Sequence, residues 1–469
     1  MAIPGALRDG TKRTRERRVN YCRRRYSGGP LAFRFICLLV LSLFFPQSSA
    51  YALRDAQLSR LTDGVRVIVQ PEPESSAMVL NVFVREPPTT TAGEEAARRM
   101  VNSALFFGST HRSYEDTVNA VNRVGSVQTT QTPDFLCITC ITTAAKYRDA
   151  IFLVSEALKN ALFDAEALER ARVALIRQAD ERTSDAFITA FDRLSRKVMA
   201  HIEPDAVQLR HVTSELAISY HKRYFLPVRT VISVAGNFDI GLILRSLDNN
   251  LIDYGPPLSE SAPLPGGANR QTGVKPQTPA PEAQPTEQVN AKSHVSFALL
   301  AAETPPVSDP DYPAVHVLNN LLGGGHASRI YQRIREAAGI GYNVGATLQE
   351  DQSDPLTAYV EWHASHQISG VEVMKLLRAQ FDSLISAHAQ ITDAEMERAR
   401  NFSIGQYALK HERLLERAYL PGWYEVMGAG YRFDHDLPDR LAAVSREDLL
   451  RVASRYLSRN ASILAIAAP

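Results

Sequence analysis

An internal repeat is the feature that most constrains how this chain can fold. The stretch TSELAISYHKRYFLPVRTVISVAG at 213–236 resembles SREDLLRVASRYLSRNASILAIAA at 445–468, and DAEALERARVAL at 164–175 resembles DAEMERARNFSI at 393–404. The first match has an offset of 232 residues and the second an offset of 228. Two matches in the same order and at nearly one offset favour duplication of a domain-sized unit. The alternative is chance similarity between two common helix patterns.

A Pro-rich stretch separates the two copies. Residues 255–287 read GPPLSESAPLPGGANRQTGVKPQTPAPEAQPTE and contain almost no large apolar side chains. Such a segment cannot bury enough surface to offset the entropy lost on ordering it. We therefore predict a flexible linker at 255–291, between an N-terminal domain at 53–254 and a C-terminal domain at 292–469. The chain of 469 residues is long enough for two cores.

The order of elements within each copy predicts an α+β fold. Alternating apolar residues favour strands at VRVIVQ (65–70) and AMVLNVFV (77–84), helices follow, and each copy ends in a helix that runs into a strand, TVISVAG or SILAIAA. Strands and helices in separate blocks are typical of a mainly antiparallel sheet with helices packed on one face. We predict two homologous domains of this kind, joined by the linker.

The N-terminal region is typical of a secretory leader. Residues 1–34 carry ten Lys and Arg side chains, the apolar run FICLLVLSLFF occupies 35–45, and PQSSAYA follows. This order predicts a signal peptide at 1–52 with cleavage after Ala52, which would place the mature chain in the periplasm or otherwise export it. The alternatives are an uncleaved anchor or an Arg-rich transit peptide. The apolar run is short for a membrane span.

Charge limits the partners of the mature chain. The formal net charge of the full chain is +1, of which the predicted leader holds +8, so the mature chain carries −7. No basic surface is expected to remain for nucleic acid. No stable membrane span is expected once the leader has been removed.

One segment of the second half offers two hydrogen-bond donors at the end of a helix. In VLNNLLGGGHASRIYQRIREAAGIGYNVGA (317–346), a helix is expected to end at the glycines of GIG and a strand to begin at Tyr342. Arg335 carries a fork of charged donors and Tyr342 carries a phenol. Both could donate to a peptide carbonyl or to the oxyanion that develops from it. The alternative is structural, with Arg335 paired to a carboxylate and Tyr342 in the core.

This segment resembles the insulinase/pitrilysin family of zinc peptidases, which includes the mitochondrial processing peptidase. The resemblance extends from LSRLTDGVRVIVQ (58–70) to the last strand. It implies two repeated α+β domains joined by a linker. It also implies that Arg335 and Tyr342 correspond to the family's Arg and Tyr, which contact substrate near the scissile bond and help to stabilise the transition state.

The family's zinc motif, H-x-x-E-H on a helix, is degenerate in this chain. Aligning ALFFGST (104–110) with the tail of that motif places the first ligand position on Arg99, the general-base position on Asn102 and the second ligand position on Ser103. Spacings of three and four residues predict that these positions share one helical face.

The third zinc ligand of the family is a Glu on a later helix. Here that position falls on Gln178, although a gap would move it to Asp180 or Glu181. Zinc needs deprotonated or neutral-imidazole ligands, and a guanidinium stays protonated in proteins. An amide at the general-base position cannot take a proton from water. We therefore predict that this chain binds no metal and has no cofactor of its own, and that a partner subunit holds the zinc.

Two other groups of potential metal ligands are weaker. His111 and Glu115 could share a helix face, but no third ligand accompanies them. His363 and His366 follow a strand-like run, where a spacing of three directs side chains apart. We interpret both groups as solvated surface.

Together these features indicate the zinc-free subunit of a heterodimeric metallopeptidase of the cell envelope. A homologous partner would hold the zinc, and Arg335 and Tyr342 would complete its site in trans for the hydrolysis of peptides. The alternative is a non-catalytic scaffold or peptide-binding protein of the same fold, and a third hypothesis is an active metalloendopeptidase with an unrecognised site. The sequence does not distinguish a heterodimer from a homodimer. Retention of Arg335 and Tyr342 at the family spacing favours the first hypothesis.

Overall fold

The computed structural model describes residues 56–183, 185–199, 202–255, 286–291, 293–348, 355–363 and 368–467. The predicted leader and most of the predicted linker lie outside these ranges. Among the described helices, none is both long and apolar enough to cross a lipid bilayer.

The first half forms a six-stranded sheet with helices. Its strands are β1 (Gln57–Arg60), β2 (Arg66–Pro71), β3 (Ala77–Arg85), β4 (Ser126–Gln131), β5 (Phe135–Thr143) and β6 (Thr230–Gly236). They lie in the order β1-β2-β6-β3-β5-β4, and every neighbouring pair is antiparallel except β2 with β6. Its helices are α1 (Ala92–Ala104), α2 (Tyr114–Val124), α3 (Tyr147–Asn160), α4 (Ala165–Thr183), α5 (Ala186–Met199), α6 (Ala206–Arg210), α7 (Ser214–Tyr224) and α8 (Ile240–Leu251). Short 3-10 turns lie at Ala144–Lys146 and Pro227–Arg229.

The second half forms a five-stranded sheet with helices. Its strands are β7 (Glu287–Ala291), β8 (Val295–Ala302), β9 (Val344–Thr347), β10 (Leu356–His363) and β11 (Asn460–Ala467). They lie in the order β7-β11-β8-β10-β9, and only β7 with β11 is parallel. Its helices are α9 (Tyr312–Gly323), α10 (Gly370–Ile385), α11 (Asp393–His411), α12 (Leu414–Val426), α13 (Phe433–Ala443) and α14 (Arg446–Val452). Two segments are π-helical, Tyr331–Ala337 and Ala453–Leu457.

The two sheets share one topology, as expected of a duplication. Without β1, the order β2-β6-β3-β5-β4 corresponds strand for strand to β7-β11-β8-β10-β9, including the position of the parallel pair. The repeated segments at 164–175 and 393–404 open α4 and α11, and the segments at 213–236 and 445–468 form α7 with β6 and α14 with β11. The predicted α+β class with two homologous halves is confirmed.

The halves exchange a helix, so that the second face of each sheet is also covered. Helix α5 of the first half packs on the second sheet, where Ala190 and Leu194 share a buried cluster with Leu299 and Ile463. A helix with apolar residues on one face must bury that face, and here the sheet of the other half provides the surface.

Helix α12 makes the reciprocal contact with the first sheet. A side chain at Gly422 would bring its Cβ within 2.4 Å of Cε2 of Phe83 on β3, so glycine allows the helix to lie close to the strand. At the far end of α12, Arg66 Nη1 donates to Glu425 Oε1 at 2.8 Å. The exchange therefore joins the halves through both buried contacts and ion pairs.

Candidate functional site

A cavity of 1510 Å³ lies between the halves, beside the helix that carries the degenerate zinc motif. Its wall includes Arg99 and Ser103 from α1, Gln178 from α4, and Asn343 and Glu361 from the second half. Three of the four predicted ligand and base positions thus meet at one cavity. Their assignment to former ligand positions stays a prediction.

Local interactions fix the position of α1. The hydroxyl of Thr91 accepts a hydrogen bond from the backbone N–H of Glu94 and caps the N-terminus of the helix. Met100 and Val101 are fully buried in the core of the first half. The opposite side of the helix is thereby turned toward the cavity.

Two carboxylates neutralise Arg99 at the first ligand position. Its Nε donates to Glu95 Oε1 at 2.9 Å, and Nη1 and Nη2 donate to Glu203 Oε1 and Oε2 at 2.5 and 2.8 Å. The two parallel bonds to Glu203 form the bidentate arrangement that suits a guanidinium best. Arg99 is therefore a fixed positive charge that the protein already neutralises, at the position predicted to correspond to the family's first zinc ligand.

Glu95 also holds a second arginine. Arg98 Nη2 donates to Glu95 Oε1 at 2.6 Å, and Nη1 donates to the carbonyls of Thr132 and Pro133, both at 2.8 Å. Burial lowers the pKa of Arg98, but the charges of Glu95 and Glu86 outweigh it and raise that pKa. Arg98 thus fixes α1 to the turn between β4 and β5 in its charged form.

Asn102, at the general-base position, faces the interior. The residue is 1% exposed, and its Nδ2 donates to Glu86 Oε2 at 2.9 Å. The hydroxyl of Tyr220 donates to Glu86 Oε1, also at 2.9 Å. Burial raises the pKa of Glu86 to about 7, against the lowering effects of Arg98, Asn102 and Tyr220. Asn102 is thus a buried donor to Glu86, whereas Arg99 and Ser103 line the cavity.

Glu86 gives the protein a pH dependence that one substitution should remove. Because folding raises its pKa from 4.5 to about 7, the stability linked to the protonated form is full below pH 4.5 and is lost as the pH rises through 7. Between pH 5 and pH 8, the free energy of unfolding should therefore fall by about 2–3 kcal/mol less in Glu86→Gln than in the wild type. Urea unfolding of both proteins at the two pH values measures this difference.

The comparison with wild type isolates Glu86 from other buried groups. Burial lowers the pKa of His221 to about 4, which gives the opposite trend in acid, but this effect is common to both proteins and cancels. Glu115→Gln, at an exposed position, is the matched control and should leave the pH profile unchanged. A Glu86→Gln profile that parallels the wild-type profile would contradict the prediction.

The remaining candidate metal ligands do not converge. No group of three or more His, Cys, Asp and Glu that could hold a metal occurs within the described ranges. His111 precedes α2, where its Nδ1 lies 3.1 Å from Glu156 Oε2, so it does not share a helix face with Glu115. His363 ends β10, and His366 lies outside the described residues. The four predicted zinc-site positions do not fit zinc. They hold the paired guanidinium of Arg99, the buried amide of Asn102, the hydroxyl of Ser103 and the exposed amide of Gln178.

Arg335, on the π-helical segment Tyr331–Ala337, stacks on Tyr342, which lies just before β9. Arg335 Nη1 donates to the carbonyls of Gly341 and Tyr342 at 3.0 and 2.9 Å, and its guanidinium carbon lies 4.4 Å from the centroid of the Tyr342 ring. Tyr342 is 83% exposed, so the alternative that placed it in the core is wrong. Among the described residues, no carboxylate pairs with Arg335.

A glycine-rich reversal sets this geometry. Gly339 and Gly341 have φ angles of +68° and +75°, in the left-handed region that favours glycine. They turn the chain so that the carbonyls after the helix point back toward Arg335. The strand begins at Val344, two residues later than predicted, and Asn343 between them lines the cavity.

Three carboxylates that bind residues of α1 were not identified from the sequence, namely Glu86, Glu95 and Glu203. Glu95 carried a usable signal, because it precedes Arg99 by four residues on one helix. Glu86 and Glu203 carried none, since they meet α1 only through the tertiary fold.

Comparisons with known proteins match the chain to one family model and to several bacterial relatives. Residues 211–402 match the family model described as Peptidase M16 inactive domain. An uncharacterized zinc protease of Streptomyces coelicolor is 22% identical over 419 residues, covering 87% of this chain and 88% of that protein. The non-peptidase homolog YmxG of Helicobacter pylori is 21% identical over 314 residues, covering 65% of this chain and 68% of that protein.

Solved structures show the same fold. A peptidase M16 inactive domain from Pseudomonas fluorescens has a TM-score of 0.72 at 16% identity, covering 88% of this chain and 98% of that chain. A protease from Helicobacter pylori has a TM-score of 0.74 at 15% identity, covering 89% of this chain and 100% of that chain. The resemblance inferred from the sequence is confirmed.

Proposed function

We propose that this chain, which has the fold of the M16 (insulinase/pitrilysin) peptidases and carries their inactive domain, is the zinc-free subunit of a two-chain peptidase. A homologous partner holds the zinc, and this chain contributes Arg335 and Tyr342 to the hydrolysis of peptides. The leader predicted from the sequence supports a location of this complex in the cell envelope.

The geometry of Arg335 and Tyr342 carries this proposal. A guanidinium has five N–H donors, and Arg335 uses its Nε on the hydroxyl of Tyr331 and its Nη1 on the carbonyls of Gly341 and Tyr342. Its Nη2 and the hydroxyl of the exposed Tyr342 have no hydrogen-bond partner among the described residues. Both donors are therefore available to an oxyanion supplied by a peptide bound outside this chain.

The degenerate motif on α1 supports a catalytic site to which two chains contribute different groups. Arg99 is held by Glu95 and Glu203, and Asn102 is buried against Glu86, so neither metal binding nor water activation is supported here. A chain that keeps the transition-state donors and lacks the metal needs a second chain to complete the site.

The cavity also has features that suit an extended peptide. Among the described strands, β4 and β9 each lie at one edge of their sheet. Both border the cavity, through residues that include Val127, Thr129 and Thr347. The unpaired edge of a strand can accept the backbone of an extended peptide as an additional strand. Peptide binding at these edges is thus compatible with either a peptidase subunit or a peptide-binding scaffold.

Purification of the tagged full-length chain from the envelope fraction of its own cells tests the proposal. We expect a homologue with an intact H-x-x-E-H motif to co-purify, zinc in the complex, and substoichiometric zinc in this chain when it is purified alone. Cleavage of a fluorogenic mixture of unstructured peptides should require both chains.

Two outcomes contradict the proposal in different ways. One tightly bound zinc per chain in the isolated protein would contradict the loss of the metal site. Full peptidase activity of the zinc-bearing chain alone would instead favour the scaffold function for this chain.

A further inference from the structure

We propose that Tyr331 is a positioning residue that orients Arg335 for its role at the peptide. The inference rests on the proposed function and extends it to a residue that does not touch the substrate. It follows from a continuous stack of side chains, His326, Tyr331, Arg335 and Tyr342, at the surface of the second half.

The first contact in this argument is between Tyr331 and Arg335. Arg335 Nε donates to the hydroxyl of Tyr331 at 3.2 Å, and its guanidinium carbon lies 5.6 Å from the centroid of the Tyr331 ring. The centroid of the Tyr342 ring lies 4.4 Å from the same carbon. The guanidinium therefore contacts two aromatic rings, of which Tyr342 is exposed and Tyr331 is partly buried.

The ring of Tyr331 is itself held on both sides. It packs against the main core of the second half, and the ring of His326 stacks on it with centroids 4.5 Å apart and planes inclined by 25°. Gln332 Nε2 donates to the carbonyl of His326 at 2.7 Å, which fixes the loop that carries this histidine. Tyr331 is thus the rigid member of the stack.

Hydrogen bonding then determines which donors of Arg335 stay available. The bond to Tyr331 takes the Nε–H, and the bonds to the carbonyls of Gly341 and Tyr342 take Nη1. Among the described residues, none accepts a hydrogen bond from either N–H group of Nη2. A fixed orientation of this kind removes the entropy cost of ordering a long side chain when an oxyanion forms.

The conformation of the segment that carries the stack supports a role in function. Tyr331 and Arg335 lie in a π-helical segment, an uncommon conformation that occurs frequently at functional sites. Arg335 lies beside Tyr331, four residues earlier on this segment, while Ile334 stays in the core.

Tyr331→Phe tests the proposal because it keeps the ring and removes the acceptor. In ¹⁵N-arginine-labelled full-length protein, with the Arg335 Nε–H signal identified by its loss in Arg335→Lys, we expect solvent exchange of that proton to accelerate about fivefold. In the two-chain peptidase, kcat should fall about tenfold with KM within about twofold, and Tyr331→Leu should lower kcat further.

Tyr147→Phe is the matched control. Tyr147 accepts a hydrogen bond from Arg148 Nε at 3.0 Å and lies under its guanidinium at 5.4 Å, the same kind of contact on the first half. We expect this variant to change neither the Arg335 signal nor kcat.

The two measurements separate the failure of this inference from the failure of the proposed function. An unchanged Arg335 exchange rate in Tyr331→Phe overturns the positioning role, whatever the activity. Faster exchange with unchanged kcat supports the positioning of the side chain and overturns its use in hydrolysis. Faster exchange together with lower kcat supports both.

Discussion

Replacing Arg335 by alanine should lower kcat of the proposed two-chain peptidase by about 10²- to 10³-fold, the loss that accompanies removal of one donor to a developing oxyanion. The reason is that Nη2 of Arg335 has no competing acceptor among the described residues, while the other nitrogens hold the side chain in place. Steady-state kinetics on the purified complex, with a fluorogenic peptide, measures the effect.

Variants at the same site separate charge from geometry. Arg335→Lys retains the positive charge but loses the planar fork, so we expect it to recover only a small part of the activity. Tyr342→Phe removes one donor and should lower kcat without unfolding, since this ring is exposed. Arg333→Ala, at an exposed position on the same segment, is the control and should retain wild-type kcat.

The result that contradicts this prediction is specific. If Arg335→Ala leaves kcat of the folded complex unchanged, Arg335 does not contact the reacting peptide, and the scaffold function becomes the better account. If KM rises while kcat is kept, Arg335 binds the peptide equally in the ground and transition states.

The fold was largely predictable because local patterns and the repeat agree. The strand predicted at 230–236 is β6 without change, and the strand predicted at 77–84 is β3 with one added residue. Equal strand order in both halves follows from the duplication. The exchange of α5 and α12 was not predictable, since an apolar helix face shows that a helix must be buried and does not show against which sheet.

The candidate site was predictable only in part, for the same physical reason. Spacing on one helix placed Arg99 and Ser103 together, and alignment added Gln178 to the same cavity. The partner that determines the state of Arg99 is Glu203, which lies 104 positions away in sequence and reaches it only through the fold. Long-range ion pairs of this kind leave no periodic signal in a single sequence.

His411→Leu should lower the free energy of unfolding by about 3–5 kcal/mol, because it leaves a buried carboxylate without its partner. His411 Nε2 lies 3.0 Å from both carboxylate oxygens of Asp434, and the two side chains are 8% and 7% exposed. Burial alone would lower the pKa of His411, but the hydrogen bond and charge of Asp434 outweigh it and raise that pKa.

The position of this pair explains why its loss should affect the whole protein. His411 ends α11, and the carbonyl of His411 accepts from Arg417 Nη1 at 2.6 Å at the start of α12. Nε and Nη2 of Arg417 also donate to Glu72 of the first half at 2.7 and 2.6 Å. The pair therefore stabilises the corner from which α12 crosses to the first sheet.

The pH dependence of this contribution has a defined sign. Because the pKa of His411 is higher in the folded than in the unfolded protein, the stability from the pair is full below pH 6.5 and is lost as the pH rises through the folded-state pKa. Urea unfolding should therefore show a difference between wild type and His411→Leu that is larger at pH 6 than at pH 9. His435→Leu removes an exposed histidine beside Asp436 and should change stability by less than about 0.5 kcal/mol.

A double substitution distinguishes the loss of a charge pair from the loss of packing. If unpaired Asp434 causes the destabilisation, His411→Leu combined with Asp434→Leu should be more stable than His411→Leu alone, because two apolar side chains leave no buried charge. If the imidazole acts mainly by filling space, the second substitution should instead add its own cost. A gain on removing Asp434 would show that the unpaired carboxylate causes the loss of stability, since the backbone carbonyl that accepts from Tyr407 is kept in both variants.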